Sequence, residues 1–79
     1  MKRDKSIYRS TFKIIGNNIR IMRECQNISQ EELAFKISST RNYIGCIERA
    51  EKFPSIVILV DIAKALKCSV NDIFLNNGR

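Results

Sequence analysis

The sequence predicts an all-α fold, a compact domain of five helices, and three observations predict it. Apolar side chains recur every three or four positions, the period of a helix face. A hydroxyl residue (Ser29, Thr40, Ser55 or Ser69) stands just before four of those stretches, where it can cap a helix. Turn-formers are scarce, with one proline and three glycines in 79 residues, so short polar connections between helices suit the chain better than a many-turned sheet. A chain this short buries only about 60% of its unfolded surface. Its core must be efficient.

The elements follow in order. Residues 1–11 are polar and basic and are expected as an N-terminal arm, loose or carrying a short extra helix. The first helix runs through Phe12, Ile15, Ile19 and Met22 and ends near Gln26 and Asn27. Ser29 and Glu32 form a capping box, each side chain reaching the other's backbone N–H, and the helix behind them buries Leu33, Ala34 and Ile37. Thr40 caps the third helix, with Ile44 and Ile47 inward and Arg41, Asn42, Gly45 and Cys46 mainly on the open side. Ser55 caps the fourth, whose stripe is Ile56, Leu59, Ile62, Ala63 and Leu66. Ser69 and Asp72 repeat the capping-box form before a short last helix with Val70, Ile73 and Phe74 inward. The domain is therefore expected over residues 12–75, with a C-terminal tail at 76–79.

Charge narrows the function. The net formal charge is +6, and residues 1–28 carry seven basic side chains against two acids. Such a surface suits a polyanion, either nucleic acid or anionic lipid. Three widely spaced cysteines without a C-x-x-C pair, and no histidine, argue against a disulfide framework and a zinc site. A reducing, cytoplasmic setting fits. No apolar run approaches about eighteen residues, and no signal peptide is read. Enzyme chemistry has little to work with: histidine is absent, as are a phosphate-binding P-loop and any motif pairing a cysteine with a base. No metal, cofactor or small-molecule ligand is expected.

Two short capped helices separated by about four residues match a helix-turn-helix, centred on residues 30–49. In that unit the first helix sets its N-terminus at the DNA backbone, and the second enters the major groove. Arg41 leads the second helix, and its guanidinium fork matches the two acceptors of guanine.

Longer text then carries a resemblance. Ile15-Gly-x-x-Ile19-Arg20-x-x-Arg23, Ser29-Gln30-Glu31-Glu32-Leu33-Ala34 and Arg41-x-Tyr43-Ile44-x-x-Ile47-Glu48-Arg49 stand in that order. Pro54-Ser55-Ile56, Ile62-Ala63-Lys64-Ala65-Leu66 and Ser69-x-x-x-Ile73-Phe74 follow. From Ile15 to Phe74 the chain resembles the Xre/Cro phage-repressor family of helix-turn-helix regulators. Arg41-Asn42-Tyr43 with Ile47-Glu48-Arg49 also resembles the controller proteins of restriction–modification systems. The resemblance implies a lambda-repressor-like fold and a homodimeric regulator of double-stranded DNA, acting on a pseudo-palindromic operator without an effector ligand. A phage or mobile-element repressor of the same family is the alternative. A basic module for a protein or membrane surface is the rival of a different class, and no membrane partner is expected.

Site residues come with it. The resemblance implies base contacts from Arg41, Asn42, Tyr43 and Cys46. It implies phosphate contacts from Gln30, Thr40, Arg49, Lys52 and Ser55, and an internal ion pair between Arg23 and Glu48. Ala50-Glu51 replaces a glycine common in the family, so that loop is expected to turn differently. Gly45 and Cys46 are poor hydrogen-bond readers, which leaves specificity to Arg41, Asn42 and DNA shape. Val57, Ile58 and Val60 exceed what one helix face buries, and Leu75 lies near the chain end. Ile58 and Leu75 are therefore expected at or near a dimer interface.

Overall fold

A computed structural model describes residues 5–75. It contains α1 (Lys5–Cys25), α2 (Gln30–Lys36), α3 (Arg41–Glu48), α4 (Ile56–Ala65) and α5 (Val70–Phe74). No strand occurs among the described residues. The five-helix expectation holds, and so do the four hydroxyl caps. Ser29 Oγ accepts from Glu32 N at 3.0 Å while Glu32 Oε1 accepts from Ser29 N at 2.8 Å. Ser69 and Asp72 do the same at 3.1 and 2.9 Å. Thr40 Oγ1 accepts from Tyr43 N, and Ser55 Oγ from Ile58 N.

The first boundary differs. α1 begins at Lys5, so the segment expected as an arm is helical from that residue on. Neither glycine nor proline stands between Lys5 and Phe12. Extending a helix already nucleated costs little, whereas starting one is expensive. Residues 1–4 and the tail at 76–79 lie outside the described residues.

One core joins the helices. Ile15 and Ile19 of α1 meet Leu33 and Ala34 of α2, Ile44 and Ile47 of α3, and Leu59, Ile62 and Leu66 of the fourth helical segment, with Ile73 closing the base. α3 packs on both α2 and α1, and α5 packs on α1 and α4. Two expected core residues lie outside it. Ile56, the first residue of α4, sits beyond the reach of the core and is exposed; Phe74, at the end of α5, is also exposed.

Polar groups lock the frame. Asn18 is buried on the core face of α1 and donates Nδ2 to the carbonyls of Ile73 and Leu75, both at 2.7 Å. It ties off the otherwise unpaired end of α5. Gln26 Nε2 donates to Leu66 O at the end of α4. Phe12 stacks on Phe53, ring centroids 4.5 Å apart, pinning the α3–α4 loop to α1.

Helix ends and glycines are arranged unusually. α1 to α4 each close with one residue in the left-handed region: Asn27, Ser38, Ala50 and Lys67, with φ from 55° to 60°. Each end makes the paired bonds of a Schellman motif, such as Ala50 N to Ile47 O and Glu51 N to Cys46 O. Glycine is the usual residue there, yet none of the four is glycine. Ala50 thus adopts the conformation that glycine favours, and the loop turns without it. Gly16 instead lies inside α1, where a Cβ would run into the Ile47 and Glu48 carbonyls. Its absence lets α1 touch the C-terminal backbone of α3. No helix among the described residues is long and apolar enough to cross a membrane.

Candidate nucleic-acid interface

α2 and α3 are joined by residues 37–40, with Ser38 turning the chain at φ 55°. An ion-pair network fixes their relative position. Arg23 Nε and Nη2 donate to the two oxygens of Glu48 at 2.7 and 3.1 Å, the two-pronged geometry that arginine makes with a carboxylate. Arg23 Nη1 donates to Ile28 O in the α1–α2 turn. The Glu48 side chain is 3% exposed and Arg23 is buried, so this pair is an internal fastener between α1 and α3. Hydrogen bonding to Glu48 raises the Arg23 pKa above its ordinary value despite the opposing effect of burial. The pair that the resemblance implied is therefore present.

Gln30 adds a third member. Its Nε2 donates to Glu48 Oε1 at 3.0 Å, linking the first residue of α2 to the last of α3. Sequence spacing carries no sign of this bond. Asn18 did leave a sign: an amide within the stripe Ile15, Ile19, Met22 marks a buried polar group needing partners.

The open face of α3 lies over a cleft of about 130 Å³ lined by Gln30, Arg41, Asn42, Gly45 and Arg49. Arg41 and Asn42 are exposed at its N-terminal end. Thr40 is exposed; its oxygen accepts the cap bond, and its O–H remains a donor toward solvent. Ser55 is placed the same way at the start of α4. Tyr43 is half-buried and packs against the core. Lys52 is exposed in the loop.

Gly45 and Cys46 are not open, contrary to expectation. Both are buried. The reason is Arg49, which lies beyond the helix end but folds back one turn. Its Nη1 would stand 3.0 Å from a Cβ placed on Gly45, and its Nη2 lies 3.8 Å from Cys46 Sγ. A base contact from Cys46 is therefore withdrawn: its sulfur lies beneath the guanidinium. Glu51 holds Arg49 from the other side, accepting from Nε at 3.0 Å and Nη2 at 3.2 Å. Each partner stabilises the other's charge, raising the Arg49 pKa and lowering that of Glu51.

The two expected interface residues fare differently. Leu75 is exposed, whereas Ile58 is half-buried and packs on the core. Val57 beside it is 64% exposed and shares the outward apolar surface of that turn with Ile56.

Comparison with known proteins agrees with this geometry. A family described as helix-turn-helix matches residues 19–73. Control protein C.SmaI of Serratia marcescens is 38% identical over 66 residues, covering 84% of this chain and 79% of that protein. An HTH-type transcriptional regulator of Methanocaldococcus jannaschii is 34% identical over 75% of this chain and 89% of its own length. The solved structure of the restriction–modification controller protein C.AhdI from Aeromonas hydrophila superposes with a TM-score of 0.81 at 29% identity. That match covers 91% of this chain and all of the other. With the family match spanning residues 19–73 and C.SmaI 38% identical over most of both chains, the chain belongs to the helix-turn-helix family of transcriptional regulators.

Proposed function

We propose that this regulator binds a pseudo-palindromic operator in double-stranded DNA as a cytoplasmic homodimer and acts as the controller of a restriction–modification system. The observation that carries the DNA-reading role is the exposed pair Arg41 and Asn42 at the head of a helix whose opposite face is locked into the core. A groove-reading helix needs that combination: donors free on one side and no freedom to roll on the other. Arg41 reads a guanine and Asn42 an adjacent base or phosphate. Tyr43 contributes through the edge of its ring that the core leaves uncovered. Thr40, Ser55, Lys52 and the remaining amide hydrogen of Gln30 hold the backbone. The likeness to C.SmaI and C.AhdI supports the controller assignment.

Dimerisation supplies the second half-site. α4 and α5 pack together, and both leave apolar side chains in water: Val57 on one, Phe74 and Leu75 at the end of the other. Ile58 lies at the inner margin of this surface. A twofold pairing through it places two α3 helices about 10 base pairs apart on one side of the duplex.

The test is selection from a pool of random duplexes with the purified chain. The expected product is a twofold-symmetric motif with half-sites one helical turn apart. Arg41→Ala should relax one position per half-site and weaken binding by about 1–3 kcal/mol. Lys52→Ala should weaken all duplexes alike and reduce the salt slope by about one. Equal loss of specific and non-specific affinity in Arg41→Ala would refute the base-reading role.

A further inference from the structure

We propose that Glu51 is an internal stand-in for a DNA phosphate: it occupies the Arg49 guanidinium and so holds the grip on duplexes below what the basic surface allows. This rests on the duplex reading above. It also means that the backbone contact expected of Arg49 from sequence is closed in the chain as it folds. Placement is the first ground. Arg49 lines the same cleft as Gln30, Arg41, Asn42 and Gly45, so its charge stands on the face that α3 turns toward the groove. A cation there would ordinarily add to the attraction for the duplex backbone.

The pattern of bonds is the second ground. Nη1 lies against Gly45, 3.0 Å from where a Cβ would stand, and Nη2 lies 3.8 Å from Cys46 Sγ, so the end of the guanidinium faces α3 itself. Nε and Nη2 form the remaining edge, and both donate to Glu51, at 3.0 and 3.2 Å. Two parallel bonds from one edge are what arginine makes with a carboxylate or with a phosphate. Glu51 thus sits where two oxygens of the duplex backbone would bind, and the pair sums to zero charge. Both side chains are more than half exposed, 56% and 55%, so the pair is of the weak, separable kind and supports nothing in the core. A backbone contact tightens every sequence alike. Withholding one leaves the choice of site to Arg41 and Asn42 while the chain lodges less on random DNA.

The test uses the full chain and a duplex carrying the motif from the selection above, titrated at several salt concentrations. Glu51→Ala should bind operator and random duplexes roughly three- to tenfold more tightly at low salt, with a salt slope steeper by about one and an unchanged motif. Adding Arg49→Ala to Glu51→Ala should return affinity and slope to those of the unaltered chain, because neither then presents a net charge at that point. Replacing backbone phosphates one at a time by neutral methylphosphonates locates the contact. One phosphate in each half-site should become sensitive in Glu51→Ala, yet stay insensitive in the unaltered chain and in the double variant. Unchanged affinity and slope in Glu51→Ala would overturn the proposal. So would a gain spread over many phosphates with no single one sensitive, since that is only the loss of a repelling charge. A changed base preference in Glu51→Ala would overturn it as well. If the unaltered chain selects no motif, the duplex reading itself fails, and that outcome is distinct from these.

Discussion

Glu48 is the residue through which three helices are tied at one point. It accepts from Arg23 twice and from Gln30 once, and so binds three helices through one carboxylate. Removing it leaves a buried guanidinium with only the more distant Glu24 carboxylate, at 3.8 Å, as counter-charge. Glu48→Ala is therefore expected to destabilise the fold by about 3–5 kcal/mol, read by chemical denaturation. Replacing both Arg23 and Glu48 with apolar residues of similar volume should do much less harm, because no charge is then stranded. At this scale the sequence was legible only in part. The Arg23–Glu48 pair came from a matched motif, whereas the Gln30 bond depends on the angle between α2 and α3, which no spacing encodes. Gly45 and Cys46 were misplaced for a related reason. A helical wheel records only its own helix, and the side chain that covers them belongs to a residue past the helix end.

The ends of elements are where residue choice and backbone geometry disagree. Lys67 closes α4 at φ 57°, a conformation that costs an L-residue about 1–2 kcal/mol relative to the right-handed region. Its side chain is exposed. Lys67→Gly should accordingly stabilise the chain by about 1 kcal/mol, seen as a higher melting temperature with unchanged helix content. Helix starts behave as the pattern suggested. Glu32 at the start of α2 is held below its ordinary 4.5 by hydrogen bonds with Ser29 and by the nearby Lys36. Folding thus favours its ionised form. The stability this adds is complete above the unfolded value and is lost as pH falls through the lower folded-state value. Melting temperature should drop on acidification below about 4.5. Glu32→Gln should show a smaller drop across the same window, and an equal drop would assign the effect elsewhere. Starts were legible because a cap is a local side-chain bond. The end of α1 was legible too, in the polar break at Gln26 and Asn27, whereas the left-handed closures were not, because glycine, the usual signal, is missing at all four. The extension of α1 to Lys5 escaped for the converse reason, since nothing in that stretch forbids a helix and its polarity resembled an arm.

For the whole molecule, the apolar residues left in water by α4 and α5 have the plainest consequence. Leu75→Asp should shift sedimentation toward monomer and reduce cooperative operator binding while leaving helix content intact. A dimer of undiminished stability would move the interface elsewhere. Fold class and helix order were readable at this scale, since one continuous apolar stripe per helix admits few ways to bury five at once. The side chains that α4 turns outward were readable only to the turn. Sequence pointed to Ile58, whereas burial makes Val57 the outward residue, because the angle at which α4 meets the core decides which of two neighbours is covered.

The missing side chain at Gly16 has a mechanical consequence. Backbone of α1 lies against backbone of α3, with the Ile47 and Glu48 carbonyls filling the place of a Cβ. A contact without side chains has no rotamers to readjust, and the adjacent Arg23–Glu48 pair resists tilting as well. The reading head is therefore a rigid die. When it meets a duplex of imperfect shape, the compliance must come from the DNA. On the proposed twofold operator, base steps between the half-sites would then enter the affinity through how readily they bend or twist. Two operators with identical contacted bases should be told apart by the stiffness of what lies between them.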